Sequence, residues 1–333
     1  MQKFFPIINI FYLSAVCIFL FIPPVFSQSR DPLVLQKVIP LENVEGRIDH
    51  LDFDPQNNRL FVAALGNDSL EVIDLNIGKR IRSIKGFSEP QGVVFVSEFK
   101  KIYISNGGSD QVSVLNSETF EIVRQIKLED NADNIRYDSK QKKIYVGCGK
   151  ALFIIDASKD RVVGKITLEA HPEGFEVEQV GLNIFVNVPI TRKIVVIDRD
   201  AQQIRNQWPI EDGCRNFPMA LDEGSKRLFI GCRERLKLLV LNAITGSTIS
   251  QLDIGKDADN VFYDPASKNI YVSLGEGAIG VYNRNKDQYK FVKNIPTAPG
   301  ARTSFFDSGS KRLFLAVPHR GQQPAEIRIY QEK

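Results

Sequence analysis

The chain has 333 residues and a formal net charge of +3 at pH 7, and 25% of its residues are charged. A charge this close to neutral, without a basic run or tail, excludes the concentrated positive surface with which proteins bind nucleic acid. The sequence has no CxxCH motif for covalent haem and no P-loop, GxSxG or HExxH motif, which excludes the enzyme classes that depend on them.

The first 27 residues have the pattern of a secretory signal peptide. One charged residue, Lys3, precedes a long uncharged apolar run, and the run ends at VFS with Ser27 as its last residue. We therefore expect cleavage after Ser27, export to the periplasm or the exterior, and no stable membrane span in the mature protein. The alternative is that the apolar run is retained as a membrane anchor.

One strand pattern then occurs seven times. It reads RLFVA, KIYIS, KIYVG, NIFVN, RLFIG, NIYVS and RLFLA, and neighbouring copies stand 40 to 44 residues apart. The first apolar residue of each copy serves as the anchor of its repeat, and the anchors are Leu60, Ile102, Ile144, Ile184, Leu228, Ile270 and Leu313. A period of this length built from short strands is typical of a β-propeller, in which each repeat forms one four-stranded blade.

The first complete repeat contains the four runs of β-forming residues that a blade needs. They are HLDFD from His50, RLFVA from Arg59, LEVIDL from Leu70 and KRIRSIKG from Lys79. Turn-forming residues separate the runs, as in FDPQNN and LNIGK. The sequence therefore predicts an all-β fold, a seven-bladed β-propeller.

The two ends of the repeat series predict how the ring closes. The seventh repeat has three runs, TSFFD, RLFLA and AEIRIY, and lacks the fourth. The segment from Leu33, LVLQKVIPLENVEGR, resembles a fourth strand with its following loop. We expect this N-terminal strand to complete the last blade, because the pairing removes an exposed strand edge. Residues 28–333 then form a single domain, which we expect to be a monomer.

A candidate site emerges when the repeats are aligned on their anchors. At six residues before the anchor, aspartate recurs at Asp54, Asp138, Asp222, Asp264 and Asp307, as a structural turn residue would. At eleven residues before it, the residue type changes between blades: Asp49, Gln91, Asp133, Glu173, Phe217, Asp259 and Arg302. A ligand without sevenfold symmetry explains such variation, whereas the alternative is a water-filled polar channel.

The resulting prediction is a ligand site at the mouth of the propeller channel. Its predicted members are Asp49, His50, Gln91, Asp133, Asn134, Glu173, Asn216, Asp259, Asn260, Arg302, His319 and Arg320. The predicted occupant is a small molecule, a peptide or a partner protein. The basic residues His319 and Arg320 are expected to form part of an outer collar around the acidic ring.

The acidic residues of this ring raise the alternative of metal-assisted catalysis. Asp49, Asp133, Glu173 and Asp259 are the candidate ligands of a divalent cation such as Ca²⁺, with His50 or His171 as a catalytic base. The corresponding enzyme would be a hydrolase such as a lactonase. A hydrogen-bonded loop histidine is the alternative for either residue. We favour a binding module, with the hydrolase as the second hypothesis and no other cofactor predicted.

Three cysteines remain after the predicted cleavage site. Cys214 and Cys232 lie on the same side of the predicted ring, so an oxidising compartment would permit a disulfide between them and leave Cys148 free. The alternative is that all three are buried thiols.

The repeat KIYVG…LFIIDASKDRVVGKI, in which an IYVS-like strand precedes VID and a polar turn, resembles the YVTN-repeat propellers, including the YncE-like exported proteins. The resemblance covers all seven repeats. It implies a propeller fold and export, and it specifies no activity.

Overall fold

Short runs of β-branched and aromatic residues form strands along nearly the whole chain. The structure, a computed structural model, describes residues 1–5, 31–210 and 214–333. By their internal contacts these residues form two units, Met1–Asp31 and Pro32–Lys333, and all strands described lie in the second. The predicted signal peptide falls mainly on residues outside the described ranges, so it stays a prediction. Among the residues described, no helix is long and apolar enough to cross a membrane.

The described ranges contain 28 strands and three short 3₁₀ turns, Leu65–Asn67, Ser97–Phe99 and Gly107–Ser109. In chain order the strands are β1 (Leu33–Pro40), β2 (Leu51–Asp54), β3 (Arg59–Ala64), β4 (Ser69–Asp74), β5 (Lys79–Lys85), β6 (Pro90–Val96), β7 (Lys101–Asn106), β8 (Gln111–Asn116), β9 (Ile122–Lys127), β10 (Ala132–Asp138), β11 (Lys143–Cys148), β12 (Ala151–Asp156), β13 (Arg161–Thr167), β14 (Phe175–Val177), β15 (Asn183–Val188), β16 (Lys193–Asp198), β17 (Gln203–Pro209), β18 (Asn216–Asp222), β19 (Arg227–Cys232), β20 (Lys237–Asn242), β21 (Thr248–Asp253), β22 (Ala258–Asp264), β23 (Asn269–Leu274), β24 (Ala278–Asn285), β25 (Gln288–Pro296), β26 (Ser304–Asp307), β27 (Arg312–Val317) and β28 (Glu326–Glu332).

These strands form seven antiparallel sheets of four strands each. Blades one to six are consecutive sets, from β2–β5 through β22–β25, and blade seven combines β26, β27 and β28 with β1. The first strand of each blade contacts the first strand of the next, and β26 returns to β2, so the first strands encircle a central channel. The predicted seven-bladed propeller is confirmed.

The predicted closure by the N-terminal strand is also confirmed. Strand β1 pairs antiparallel with β28, from Leu33 opposite Glu332 to Pro40 opposite Glu326. Leu33 is buried in the same apolar cluster as Leu313 and Tyr330 of blade seven. The ring therefore closes by hydrogen bonds between the two ends of the propeller unit, and strand β28 is not left as an exposed edge.

Burial decreases from the inside of each blade to the outside. In β3, Leu60, Phe61 and Val62 are fully buried, because the second strand packs between the sheets on both sides. Burying one such side chain contributes roughly 1.5–3 kcal/mol. On the outer strand β9, by contrast, Ile122 and Val123 are exposed. This gradient explains why the second strand is the most regular part of the repeat.

The recurrent aspartates hold the hairpin between the first two strands of a blade. The carboxylate of Asp138 accepts hydrogen bonds from the backbone amides of Lys140 and Gln141, each at 3.0 Å. It also lies 3.0 Å from Arg199, and both side chains are completely buried. These aspartates therefore have the structural role that was predicted for them. The residues eleven positions before the anchors remain as the candidates that line the channel.

Candidate functional site

Residues at the beginning of the inner strands converge on one small cavity at the channel mouth. Its volume is about 30 Å³, which is enough for a water molecule or a metal ion. It is lined by Arg47, Asp49, His50, Asp133, Asn134, Arg136, Glu173, Gly174, Phe217, Pro218, Met219, Asp259 and Asn260. Four carboxylates from blades one, three, four and six thus share one space, which we call the mouth cavity.

Three side chains next to each other form the densest group of ligating atoms. One ligand atom each of Asp133, His171 and Glu173 can be chosen so that all three lie within 4.8 Å of one another. Asp133 lies in β10, whereas His171 and Glu173 lie in the loop before β14. Blades three and four are neighbours, so the propeller geometry itself brings these residues together.

The His171 ring is held by a backbone carbonyl on one side and faces a carboxylate on the other. Its Nδ1 lies 3.0 Å from the Gly149 carbonyl oxygen, and its Nε2 lies 3.3 Å from Oδ2 of Asp133. When Nδ1 donates to the carbonyl, Nε2 of the neutral ring can ligate a metal, whereas Nε2 of the protonated ring donates to Asp133. The hydrogen bond with Asp133 raises the pKa of His171.

Glu173 is the carboxylate of this group without a close cation. Within the residues described, no lysine, arginine or histidine nitrogen forms an ion pair with it within 4.0 Å. Burial, together with the nearby Asp133 carboxylate, raises the pKa of Glu173 to about 7. Its charge is therefore only partly developed near neutral pH, unless a cation binds.

The remaining two mouth carboxylates are neutralised by arginines. Asp49 lies 2.7 Å from Arg47, although its burial still raises its pKa to about 6. Asp259 contacts Arg233 and also lies 3.0 Å from Nε of Arg302. The mouth cavity is therefore not uniformly acidic, and its uncompensated charge is concentrated on the side of blade four.

Arg233 follows β19, the second strand of blade five, and reaches Asp259 of blade six. Its guanidinium carbon lies 3.9 Å from the ring centroid of Phe217, and its Nε donates to the Ala258 carbonyl oxygen at 2.8 Å. The cation–π contact explains why an aromatic residue stands among polar ones at this position of the ring. Phe217 positions the arginine that neutralises Asp259.

The structure does not bring all the predicted residues to the mouth cavity. Gln91 donates to Asn131 at 3.0 Å. Asn216 is completely buried and donates to Asn187 at 2.8 Å and to the Lys193 carbonyl at 2.9 Å, so it connects strands within the fold. The predicted collar residues His319 and Arg320 line a separate cavity of about 250 Å³ beside the mouth, together with Arg302, which was predicted for the ring itself.

Of the predicted catalytic histidines, His171 belongs to the three-residue group and His50 lines the mouth cavity. His50 Nε2 lies 3.8 Å from Oδ1 of Asp49, too far for a hydrogen bond. The third histidine, His319, pairs with Glu45 at 2.6 Å on the surface.

A second set of channel residues was not among those predicted from the sequence. Asp52, Arg136 and Glu176 line a chamber of about 280 Å³ with apolar residues of other blades. They all lie eight residues before their anchors, where the type also changes between blades. Aligning this position as well would have found them.

The two cysteines of the predicted pair form a disulfide in the structure. Cys214 lies just before β18 and Cys232 ends β19, with their Cα atoms 5.2 Å apart. Cys148 is buried, and its thiol donates to the Asp130 carbonyl oxygen at 3.0 Å. The disulfide fixes the start of β18 against the strand end that is followed by Arg233.

Comparison with known proteins supports the propeller fold and shows that one segment of the chain is similar to a known family. Residues 68–161, less than a third of the chain, match the model of the arylesterase family. This segment contains Asp133 but neither His171 nor Glu173. No curated protein matches the chain.

Solved structures show the same architecture in proteins of unrelated sequence. Hydrazine synthase of Kuenenia stuttgartiensis is 16% identical with a TM-score of 0.72, over 82% of this chain and 94% of that one. A chain in a crystal structure of the mitotic checkpoint complex is 13% identical with a TM-score of 0.77, over 97% and 98%. At such identities the similarity shows the fold alone. The protein is a seven-bladed β-propeller with an arylesterase-like segment.

Proposed function

We propose that this protein is a binding module that holds a divalent metal cation at the mouth cavity, and that this cation binds a donor atom of a small ligand. Asp133, His171 and Glu173 are the proposed protein ligands of that cation. The proposal depends on one observation, the approach of their three ligating atoms within 4.8 Å of one another. Three protein ligands leave coordination positions for water or for a donor atom of the ligand.

The composition of the group indicates which cations to expect. Two carboxylates with one imidazole suit Zn²⁺ or Mn²⁺ better than Ca²⁺, which takes six to eight oxygen ligands. The contact of His171 Nδ1 with the Gly149 carbonyl supports this choice, because metal-binding histidines characteristically donate their second ring N–H in this way. A bound cation would also compensate the charge of Glu173.

The cellular setting that we propose is extracytoplasmic. It rests on the signal-peptide pattern of residues 1–27, and the Cys214–Cys232 disulfide supports it, because such bonds persist in oxidising compartments. The proposed partner is a small molecule, because the mouth cavity leaves room for no more than a donor atom of the partner beside the cation. We propose that the chain acts as a monomer and does not bind nucleic acid.

A metal-assisted hydrolase acting on esters or lactones is the second candidate. The arylesterase match over residues 68–161 favours it. In this candidate Asp133, His171 and Glu173 would hold the cation, and His50, which lines the mouth cavity, would accept a proton from a water molecule that attacks an ester carbonyl and return it to the departing alcohol. The cation would polarise the carbonyl group.

Metal titration of the purified, chelator-treated protein tests the binding proposal. We expect Zn²⁺ or Mn²⁺ to raise the melting temperature and to bind in calorimetry, and Glu173→Gln to weaken binding by at least about tenfold. Glu234→Gln is the matched control, because Glu234 is exposed and forms only long ion pairs with Arg192 and Arg215. Equal metal binding by wild type and Glu173→Gln would overturn the proposal.

A hydrolysis assay separates the two candidates. Phenyl acetate and a simple γ-lactone are offered to the metal-loaded protein and to Glu173→Gln. Turnover that Glu173→Gln abolishes favours the hydrolase, whereas metal binding without turnover favours the binding module.

A further inference from the structure

The second channel space, which we call the chamber, differs from the mouth cavity in size and in character. It has a volume of about 280 Å³, just below the range usual for drug-sized ligands. Residues His50, Arg136 and Asn260 line both spaces, so the chamber continues the channel inward from the mouth cavity. A small organic molecule fits in the chamber, whereas the mouth cavity holds little more than one water molecule.

The walls of the chamber are divided between charged and apolar residues. Blades three and four contribute Arg136 and Glu176, whereas Val94, Phe262 and Phe305 come from blades two, six and seven. The rings of Phe262 and Phe305 meet edge to face, with centroids 6.3 Å apart. Apolar surface that faces an internal space with a few polar groups opposite is the usual composition of a ligand pocket.

Arg136 is the cation of this chamber, and its hydrogen-bonding capacity is largely unused. Its Nη1 donates to the Ile135 carbonyl oxygen at 2.9 Å, and its Nε lies 3.9 Å from Glu176, beyond hydrogen-bond distance. No hydrogen bond within the described residues involves its Nε or Nη2. A guanidinium with these donors free is suited to bind a carboxylate.

The two acids of the chamber do not prevent a carboxylate from binding there. Asp52 accepts hydrogen bonds from the backbone amides of Phe53 at 2.8 Å and Phe95 at 2.6 Å, but burial still raises its pKa to about 6, which lowers the cost of protonating it. Burial raises the pKa of Glu176, which lowers the cost of protonating that carboxyl when a second carboxylate approaches. A protonated Glu176 would then donate a hydrogen bond to the incoming group.

We propose that the chamber is a binding site for a small carboxylate with an apolar ring, whose carboxylate binds Arg136 and whose ring packs against Phe262 and Phe305. This proposal goes beyond the metal site, because no residue of the group Asp133, His171 and Glu173 takes part. It adds a recognition site for an organic anion to the same channel.

Calorimetric titration with phenylacetate in the presence of EDTA tests the proposal. We expect binding by the wild type, and weaker binding of the neutral phenylacetamide and the cationic phenethylamine. Arg136→Met should weaken phenylacetate binding by about tenfold or more, because it removes the charged donor. Arg82→Met is the control: Arg82 also donates through Nη1 to the preceding carbonyl, but it lies exposed on β5.

A second variant allows the proposal to be tested even if Arg136→Met does not fold. Val94→Phe leaves Arg136 intact and fills part of the chamber, so it should also weaken phenylacetate binding by tenfold or more. Failure of phenylacetate to bind the wild type, or equal binding by Arg136→Met, overturns the proposal. Preferred binding of phenethylamine does so too, because it would make the chamber a cation site. Phenylacetate binding that persists in Glu173→Gln separates this proposal from the metal site.

Discussion

At the scale of single residues, the mouth cavity combines carboxylates of two kinds. Asp259 is neutralised by Arg233 and Arg302, whereas the one ion-pair partner of Asp133 within the described residues is His171. Both residues lie eleven positions before the anchors of their repeats. The structure shows that their surroundings differ, because arginines reach only one of them.

The two residues should therefore respond differently to the loss of charge. Asp259→Asn leaves two partly buried arginines without their counter-charge and should lower the free energy of unfolding by roughly 1–3 kcal/mol. Asp133→Asn should cost less than about 1 kcal/mol. Urea unfolding monitored by circular dichroism measures both, with Asp253→Asn on the exposed end of β21 as the control. A larger loss for Asp133→Asn than for Asp259→Asn would contradict the assignment.

The raised pKa of Glu173 predicts a pH dependence of stability. The folded protein keeps this carboxyl protonated up to about pH 7, whereas the unfolded chain releases the proton near pH 4.5. The contribution of the protonated Glu173 carboxyl to the free energy of unfolding is therefore fully present below pH 4.5, and it is lost as the pH rises through 7. In EDTA, the wild type should lose about 1–2 kcal/mol of stability relative to Glu173→Gln between pH 5 and pH 8.

Urea unfolding of both proteins at several pH values measures this difference. Addition of a tightly bound cation should reverse it, because the metal favours the ionised carboxylate. Parallel pH profiles of wild type and Glu173→Gln would show that the carboxyl is not perturbed in the folded state.

At the scale of elements, the chain just before β18 is held at Cys214 by a covalent bond. The Cys214–Cys232 disulfide spans 18 residues of sequence and connects this point with the end of β19. Because Arg233 follows Cys232 directly, the bond also fixes the backbone from which Arg233 reaches Asp259. The disulfide thus contributes to the order of the mouth as well as to stability.

Reduction of this disulfide should lower the free energy of unfolding by up to about 3 kcal/mol, as expected for a closed loop of this length. Cys214→Ser with Cys232→Ser should produce a similar loss and should make stability insensitive to dithiothreitol. Cys148→Ala is the control for the free thiol, since its stability should remain sensitive to the reductant. An unchanged melting temperature of the reduced wild type would argue against a role for the bond in stability.

At the scale of the whole molecule, stability depends on closure of the ring. Strand β1 lies at one end of the propeller unit and β28 at the other, so blade seven forms only when both ends meet. Contacts that bridge such a distance in sequence are the least local in the fold, and their loss exposes the edge of β28.

Deletion of residues 31–43 should therefore lower the melting temperature by many degrees and promote aggregation. The physical reason is the loss of eight residues of strand pairing together with the burial of Leu33 and Ile39. Differential scanning calorimetry and light scattering measure both effects against the chain beginning at residue 28. A truncated protein that melts like this reference would contradict closure through β1.

The sequence alone determined the number of blades, their four strands and the closing strand. It did so because strand and turn preferences are local, and because seven repetitions make a weak pattern unambiguous. It also identified the position at which side chains face the channel, since that position follows from the distance to an anchor along the same blade. Asp49, Asp133, Glu173 and Asp259 were found in this way, and all of them line the mouth cavity.

Only the tertiary structure decided which of these groups interact. Arg233 reaches Asp259 from the next blade, and His171 joins Asp133 across another boundary between blades, at distances that repeat spacing does not encode. In the structure Asn216 does not line the cavity, because its side-chain amide donates hydrogen bonds between buried strands. The structure also revealed the chamber around Arg136. The physical reason is that strand formation depends on residues close together in sequence. Ion pairing depends instead on which long side chains of neighbouring blades come within reach of each other.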